Sequence, residues 1–258
     1  MHKRLLFFTA LAALTSACAW AADDPFVGTW KGSRVDTAGQ VQQIKHLGGD
    51  KYDWAYGDNH LELMIDGTDH PSKFGGTYSV RQESPDTWVI TFKHDGQVTS
   101  VNTFKLSNNG RELNAEVKGT HADGSPYTVH RTSTRVGAGS GFAGKWQVEE
   151  TKFSSVPTLI IKPYGNDGLS FAWPQDKEHD DVTFDGKDYP NHGPRVPAGS
   201  VTSGKRIDER TIQTSDKLHG KVTGTQEWKI SDDGRTLTDT MRVQGEQRPV
   251  IAVYEKQM

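Results

Sequence analysis

Val222-Thr223-Gly224-Thr225-Gln226-Glu227-Trp228-Lys229-Ile230, then Ser231-Asp232-Asp233-Gly234, then Arg235-Thr236-Leu237-Thr238-Asp239-Thr240-Met241-Arg242-Val243, is the stretch that decides the fold. Val222, Gly224, Gln226, Trp228 and Ile230 fall on one face of an extended chain, and Thr223, Thr225, Glu227 and Lys229 on the other. A period of two is the mark of a half-buried β-strand. After Asp233-Gly234, whose glycine supplies the positive φ of a tight hairpin turn, Leu237, Asp239, Met241 and Val243 share the returning face. A second hairpin of the same kind precedes it: Val98, Ser100, Asn102, Phe104 and Leu106 alternate up to Asn108-Asn109-Gly110, and Leu113, Ala115 and Val117 alternate after it.

The two hairpins belong to a larger internal repeat. Phe26-Val27-Gly28-Thr29-Trp30 returns as Phe142-Ala143-Gly144-Lys145-Trp146, 116 positions later. Asp66-Gly67-Thr68-Asp69-His70-Pro71 returns as Asp185-Gly186-Lys187-Asp188-Tyr189-Pro190, 119 later, and Asn108 to Leu113 returns as Asp232 to Leu237, 124 later. Three blocks in one order, with a slowly growing offset, are the pattern of a domain written twice. Turn signals such as Gly48-Gly49, Asp95-Gly96 and Asp123-Gly124 recur about every ten residues between short alternating segments. Eight or nine short strands per half, each with one apolar face, require a closed or nearly closed sheet to hide their edges. The expected fold class is therefore all-β, two tandem small antiparallel barrels.

The expected boundaries are 22–136 for the first barrel, 137–141 for a flexible joint at Gly137-Ala138-Gly139-Ser140-Gly141, and 142–258 for the second barrel. Residues 1–21 read as an export leader: a basic His2-Lys3-Arg4, an apolar run from Leu5 to Leu14, and small residues at Ala19 and Ala21 ahead of cleavage. The alternative is lipidation at Cys18 after Ser16-Ala17, with Thr15 where a large aliphatic residue is usual. Export to the periplasm or beyond is the expected localisation.

Composition excludes several function classes. Cys18 is the single cysteine, so after cleavage neither disulfides nor thiolate chemistry remain. Loss of Lys3 and Arg4 takes the basic residues from 30 to 28 against 33 acids, a mature charge of −5 without a basic patch, which argues against a nucleic-acid partner. No later apolar run reaches membrane-spanning length, so no transmembrane segment is expected in the mature chain.

Phe26 to Trp30 and Phe142 to Trp146 resemble the Gly-x-Trp signature on the first strand of lipocalins and their calycin relatives. The second half is also similar to secreted bacterial lipocalin-like proteins through Phe184 to Pro190, Gly234 to Thr238 and Ala252 to Gln257. The resemblance implies a barrel whose base is closed by the tryptophan, often with an arginine of the last strand stacked on it. Arg131 or Arg135 is the expected partner of Trp30, and Arg248 that of Trp146. It implies no particular activity.

A non-catalytic role in binding a small, partly apolar molecule inside one or both barrels is the functional expectation. Phe104, Trp173, Trp228 and Met241 are the expected lining, and Asn102, Gln226 and Asp239 the orienting polar groups. Asp239 stands between inward Leu237 and Met241, where a carboxylate needs a partner, water or a ligand. The Asp-Gly-x-Asp-x-Pro elements read as turns in which Asp69 or Asp188 caps the backbone, since a calcium loop needs further oxygen ligands in register. Nine histidines are scattered through the mature chain without the i, i+4 pair of a zinc hydrolase. Glu178-His179-Asp180-Asp181 reads as a solvated loop. Neither a serine-nucleophile elbow, a P-loop nor a dinucleotide fingerprint is present, and no catalytic residue, cofactor or metal is expected. Two alternatives remain: an envelope protein-protein interaction module with solid barrels, and a barrel enzyme with converging His and Asp.

Overall fold

A computed structural model describes residues 24–73 and 75–257; the expected leader, its cleavage after Ala21 and Cys18 lie outside the described residues. The chain is all-β. Its strands are β1 (Gly28–Asp36), β2 (Val41–Gly48), β3 (Lys51–Tyr56), β4 (Asn59–Met64), β5 (His70–Pro71), β6 (Thr77–Ser84), β7 (Thr87–His94), β8 (Gln97–Ser107), β9 (Glu112–Thr120) and β10 (Pro126–Ser140). They continue as β11 (Ala143–Phe153), β12 (Thr158–Tyr164), β13 (Gly168–Trp173), β14 (Glu178–Thr183), β15 (Asp188–His192), β16 (Ser200–Asp208), β17 (Thr211–Leu218), β18 (Lys221–Ile230), β19 (Thr236–Val243) and β20 (Val250–Lys256). Among the described residues no helix is long and apolar enough to cross a membrane.

These strands form two antiparallel ten-stranded barrels, rather than the eight or nine strands per half expected from turn spacing. One sheet runs β4-β3-β2-β11-β10-β9-β8-β7-β6-β5 and is nearly closed; the other runs β1-β12-β13-β14-β15-β16-β17-β18-β19-β20 and is fully closed. In the first, β4 and β5 are not paired, because β5 is only two residues long. The Tyr78 hydroxyl spans that gap, donating to the Glu62 carbonyl at 2.5 Å.

The order departs from the expected partition at the two Gly-x-Trp strands. β1 lies between β20 and β12, in the second barrel, and β11 lies between β10 and β2, in the first. The first barrel is thus the continuous segment 41–153, and the second joins 28–36 to 158–256. The cause is local. The glycine-rich 137–140 segment extends β10 instead of forming a flexible joint, and Ser140 pairs with Ala143 across Gly141-Phe142. A two-residue connection can only join neighbouring antiparallel strands, so β11 stays beside β10. The chain crosses between barrels at 37–40 and 154–157. There Thr37 and Thr151 share a hydroxyl–hydroxyl bond of 2.7 Å.

The exchange re-partners the tryptophans. Arg135 lies 4.1 Å from the ring of Trp146, not on Trp30, and Lys256 sits 5.0 Å from the ring of Trp30. Arg131 instead meets the Thr151 hydroxyl, and Arg248 packs beside Gly39. Both tryptophans are fully buried, and each indole N–H donates to the carbonyl four residues earlier, Phe26 or Phe142, at 2.8 and 2.9 Å. The signature glycine has a physical reason. A Cβ on Gly144 (φ 156) would stand 2.4 Å from the Arg135 guanidinium, and one on Gly28 (φ 147) 2.9 Å from the Lys256 side chain. Without that space the cation could not lie over the ring two residues on, an arrangement worth about 0.5–2 kcal/mol.

The alternation read in the sequence positions the interiors. Leu106, Leu113, Trp88, Ile90, Phe104 and Trp146 fill the first barrel. Leu159, Ile161, Leu169, Phe171, Trp228, Ile230 and Leu237 fill the base of the second.

Candidate functional site

The barrels meet at corresponding ends. The β3–β4 turn of the first docks on the β19–β20 loop of the second, where Asp58 N–H donates to the Gln244 carbonyl at 2.8 Å and Gly57 N–H to Glu246 Oε1 at 2.8 Å. The matching turn of the second barrel, β13–β14, docks on the β9–β10 loop of the first. Here Asp123 N–H donates to the Gln175 carbonyl at 2.9 Å, and His121 lies 2.8 Å from Asp176. This pairing of like surfaces is the arrangement of a two-fold dimer, built within one chain.

Between the two clamps lies a cavity of about 790 Å³. The first barrel contributes Trp54, Tyr56, Asn59, Leu61 and Phe92. The second contributes Trp173, Asp176, Glu178, Asp180, Asn191, Asp216 and Gln226, with Arg195 and Lys217 at the edge.

Strand register shows that the two walls are built from corresponding positions with opposite chemistry. Leu61 stands opposite Trp54 as Asp180 stands opposite Phe171. Phe92 stands opposite Tyr78 as Asp216 stands opposite Thr202. Beneath them, Ala115 faces Phe104 as Asp239 faces Trp228. Three positions that are apolar in the first barrel are therefore carboxylates in the second. Tyr78 and Ile90 of the first correspond to the smaller Thr202 and Thr214, which leaves room for those carboxylates.

A polar network holds the acids. Asp216 accepts from the Thr202 hydroxyl at 2.9 Å and from the Gln226 amide at 2.8 Å. Asn191 donates to Thr202 at 2.9 Å and stands opposite Asp180 across the β14–β15 pair. Two acceptors stay unsatisfied: Oδ1 of Asn191, on the cavity wall, and Oδ1 of Asp239, which is only 8% exposed. The two edge cations are committed elsewhere, Lys217 to Asp188 at 2.6 Å and Arg195 to the Thr120 carbonyl at 2.6 Å.

Electrostatics follow from this crowding. Burial first, then Asp216 and further Glu178 and Asp181, push Asp180 up to about 7 against the opposing Asn191 bond. Burial, then Asp216, push Asp239 up to about 7. Burial also raises Asp216, opposed by Thr202 and Gln226, and raises Glu178 together with Asp176, opposed by Arg195. The Tyr254 hydroxyl is raised by burial and by Asp239, against an opposing effect of the Trp173 indole.

Among the residues expected from sequence, Trp173 and Gln226 line this cavity and Asp239 lies behind Asp216. Phe104 and Trp228 are core residues, 4% and 3% exposed; Phe104 packs edge-on to Trp54 and Trp228 donates to the Thr214 hydroxyl at 3.2 Å. Met241 is half-buried away from the cavity, and Asn102, buried in the first barrel, has an unsatisfied Oδ1. The expected loop at Glu178 to Asp181 is strand β14, which turns Glu178 and Asp180 inward beside Val182. The capping aspartates are Asp66 and Asp185, each accepting the N–H two residues on, while Asp69 and Asp188 bind Lys93 and Lys217.

Asp180, Asp216, Trp54 and Tyr56 are the site residues that sequence reasoning did not single out as such. One signal was available: setting Leu61 and Phe92 against their counterparts in the second half exposes an apolar-to-acidic change. Among the described residues no group of three or more His, Cys, Asp and Glu is placed to hold a metal ion. The histidines pair locally, as in His60 with Asp53, His70 with Asp66 and the stacked His179 and His192. Compared with protein-family models and with curated proteins, the chain matches none.

Proposed function

We propose that this is an exported, lipocalin-like bacterial binding protein, built by duplication of one barrel unit, that carries a small, partly apolar molecule without transforming it. The reading places the molecule in the cavity between the barrels rather than deep inside either one. A single observation carries it: a 790 Å³ space, apolar on one wall, with a few convergent polar groups on the other. Such a space falls within the range of small-molecule sites, about 300–1,000 Å³, and has their typical lining. The filled interior of the first barrel supports the shift of the site to the junction.

A catalytic reading has one observation in its favour, since carboxyls near neutrality are characteristic of general acids. Asp180 and Asp239 have that property, but their neighbour Asp216 accepts from Thr202 and Gln226 as part of a polar scaffold, with lone pairs left over for a donor ligand rather than a role as nucleophile. Carriage therefore stands as the preferred function.

Native mass spectrometry of the mature protein from its own envelope fraction tests the proposal. A retained small-molecule mass that is lost in Trp173→Ala is the expected result. A chain that stays bare, and that also fails to enhance the fluorescence of the neutral dye Nile red, overturns it.

A further inference from the structure

Resting on the carriage reading, we propose that the cavity selects an amphipathic organic cation, with an ammonium or amidinium head against the second barrel and an apolar body against the first. The charge pattern is the first ground. Asp180 and Asp216 on the wall, with Asp239 beneath, occupy positions that are Leu61, Phe92 and Ala115 in the first barrel. Packing alone is met by the apolar set, as the first barrel demonstrates, so the acids are not needed to fill the fold. Ionising buried carboxylates without a counter-charge is costly, and a cation seated beside them offsets that cost.

The second ground is independent of charge. The two unsatisfied side-chain atoms at this end of the second barrel, Oδ1 of Asp239 and Oδ1 of Asn191, are both acceptors. A ligand that meets Oδ1 of Asn191 on the wall must therefore donate a hydrogen bond, while Asp239 lies one layer behind, beside Asp216. Lys217 and Arg195 each direct one donor away from these acceptors, to Asp188 and to the Thr120 carbonyl. An anionic head would meet Glu178, Asp180 and Asp216 as like charges. On the other wall Trp54, Tyr56, Leu61 and Phe92 offer aromatic and aliphatic surface, and aromatic faces also attract cations.

Binding of a cation must be linked to protons. The groups on the wall that meets the head are Glu178 and Asp180 of β14, Asn191 of β15, Asp216 and Lys217 of β17 and Gln226 of β18. Behind them lie Thr202 of β16, bonded to Asp216, Asp239 of β19, which feels the charge of Asp216, and Tyr254 of β20, which feels that of Asp239. Asp176 and Arg195 lie in the adjoining loops, and His121 reaches Asp176 from the first barrel. Asp180 and Asp239, at about 7 in the empty site, are protonated below neutrality and ionised above it. Affinity for a cation therefore rises between pH 6 and 8, with release of protons.

The test uses the mature protein and three probes with one body and different heads: 4-phenylbutylammonium, 4-phenylbutanol and 4-phenylbutyrate. Calorimetric titration at pH 8 should show the ammonium binding at least about tenfold tighter than the alcohol, as expected for hydrogen bonds made to charged groups. The carboxylate should bind weakest, and the advantage of the ammonium should shrink at pH 5.5. The isosteric variants Asp180→Asn and Asp216→Asn should lower ammonium affinity towards that of the alcohol while Nile red binding persists. Alcohol equal to ammonium at pH 8, or the carboxylate binding best, would overturn the cation proposal and leave carriage intact. Failure of all three probes and of Nile red would overturn carriage itself. The head-group comparison is made on the unaltered chain, so it decides the matter even if a variant fails to fold.

Discussion

The two barrels share strand order and signature tryptophans yet differ in what their interiors tolerate. The first closes its cavity-facing end with Leu61 and Phe92 over Ala115; the second places Asp180 and Asp216 over Asp239 at the same points of the register. One scaffold thus carries a packed apolar end in one copy and an acidic end in the other. The difference teaches that one strand architecture accommodates either apolar residues or carboxylates at the same three inward positions.

The largest expected effect tests the strand exchange that underlies this comparison. Trp146→Ala should cost about 3–5 kcal/mol, the usual range for a buried tryptophan. Hydrogen exchange should show the lost protection in 41–153 rather than in 158–256. Trp30→Ala should do the reverse. If each tryptophan instead weakens the half in which it lies in sequence, the exchanged topology is wrong.

Next is Asp239→Asn, which moves the second barrel towards the first. In the folded protein this carboxyl sits at about 7, against about 3.9 in an unfolded chain. The folded state therefore holds its proton from about pH 4 to 7 while the unfolded state has lost it, and the wild type loses stability as pH rises through that window. The variant should match wild type near pH 4 and exceed it by up to about 4 kcal/mol above pH 7, since about three pH units at about 1.4 kcal/mol each set the ceiling. Denaturant titrations at both pH values measure this, and a pH-independent difference would place the carboxylate in water.

Smaller effects separate the two tryptophan caps. Arg135 donates to the carbonyls of Gly110, Ala143 and Gly141 as well as covering Trp146. Lys256 covers Trp30 and, among the described residues, its ammonium donates to the Pro25 carbonyl alone. Arg135→Ala should cost about 2–3 kcal/mol and Lys256→Ala about 1 kcal/mol, in line with charged hydrogen bonds and cation–π contacts. Equal losses in thermal melting would remove this asymmetry. Smallest is His121→Ala, which breaks the bond to Asp176 between barrels and should cost about 0.5–1 kcal/mol. Its measurable effect should fall on the cavity, as a change in Nile red affinity larger than the change in melting.

Much of the fold was legible because strand alternation is local. Trp228 and Leu237 were readable as inward from their neighbours alone, and the β18–β19 pairing places Ile230 opposite Leu237 and Trp228 opposite Asp239. Asp239 and Gln226 stood out for the same reason, as polar residues in an apolar phase. Asp180 did not, because Glu178 to Asp181 carries too much charge to look like a strand until Phe171 and Trp173 of β13 pair with Asp180 and Glu178. Trp54 and Tyr56 were visible as aromatics, but their role depends on a wall supplied more than a hundred residues later.

By itself the sequence determined an all-β chain, its repeated blocks, many of its turns and the inward faces of the β18–β19 hairpin, because those properties depend on neighbours within a few positions. Val98 turns outward, 52% exposed, past a register shift that alternation does not show. Only the tertiary structure decided which barrel each Gly-x-Trp strand enters, where the chain crosses, and that the apolar wall of one barrel faces the acidic wall of the other. These depend on pairing between segments far apart in the chain. A hairpin too short to do anything but fold back, at Ser140 to Ala143, sets the strand exchange. Register across β14, β17 and β19 then gathers three separate aspartates at one end of a barrel.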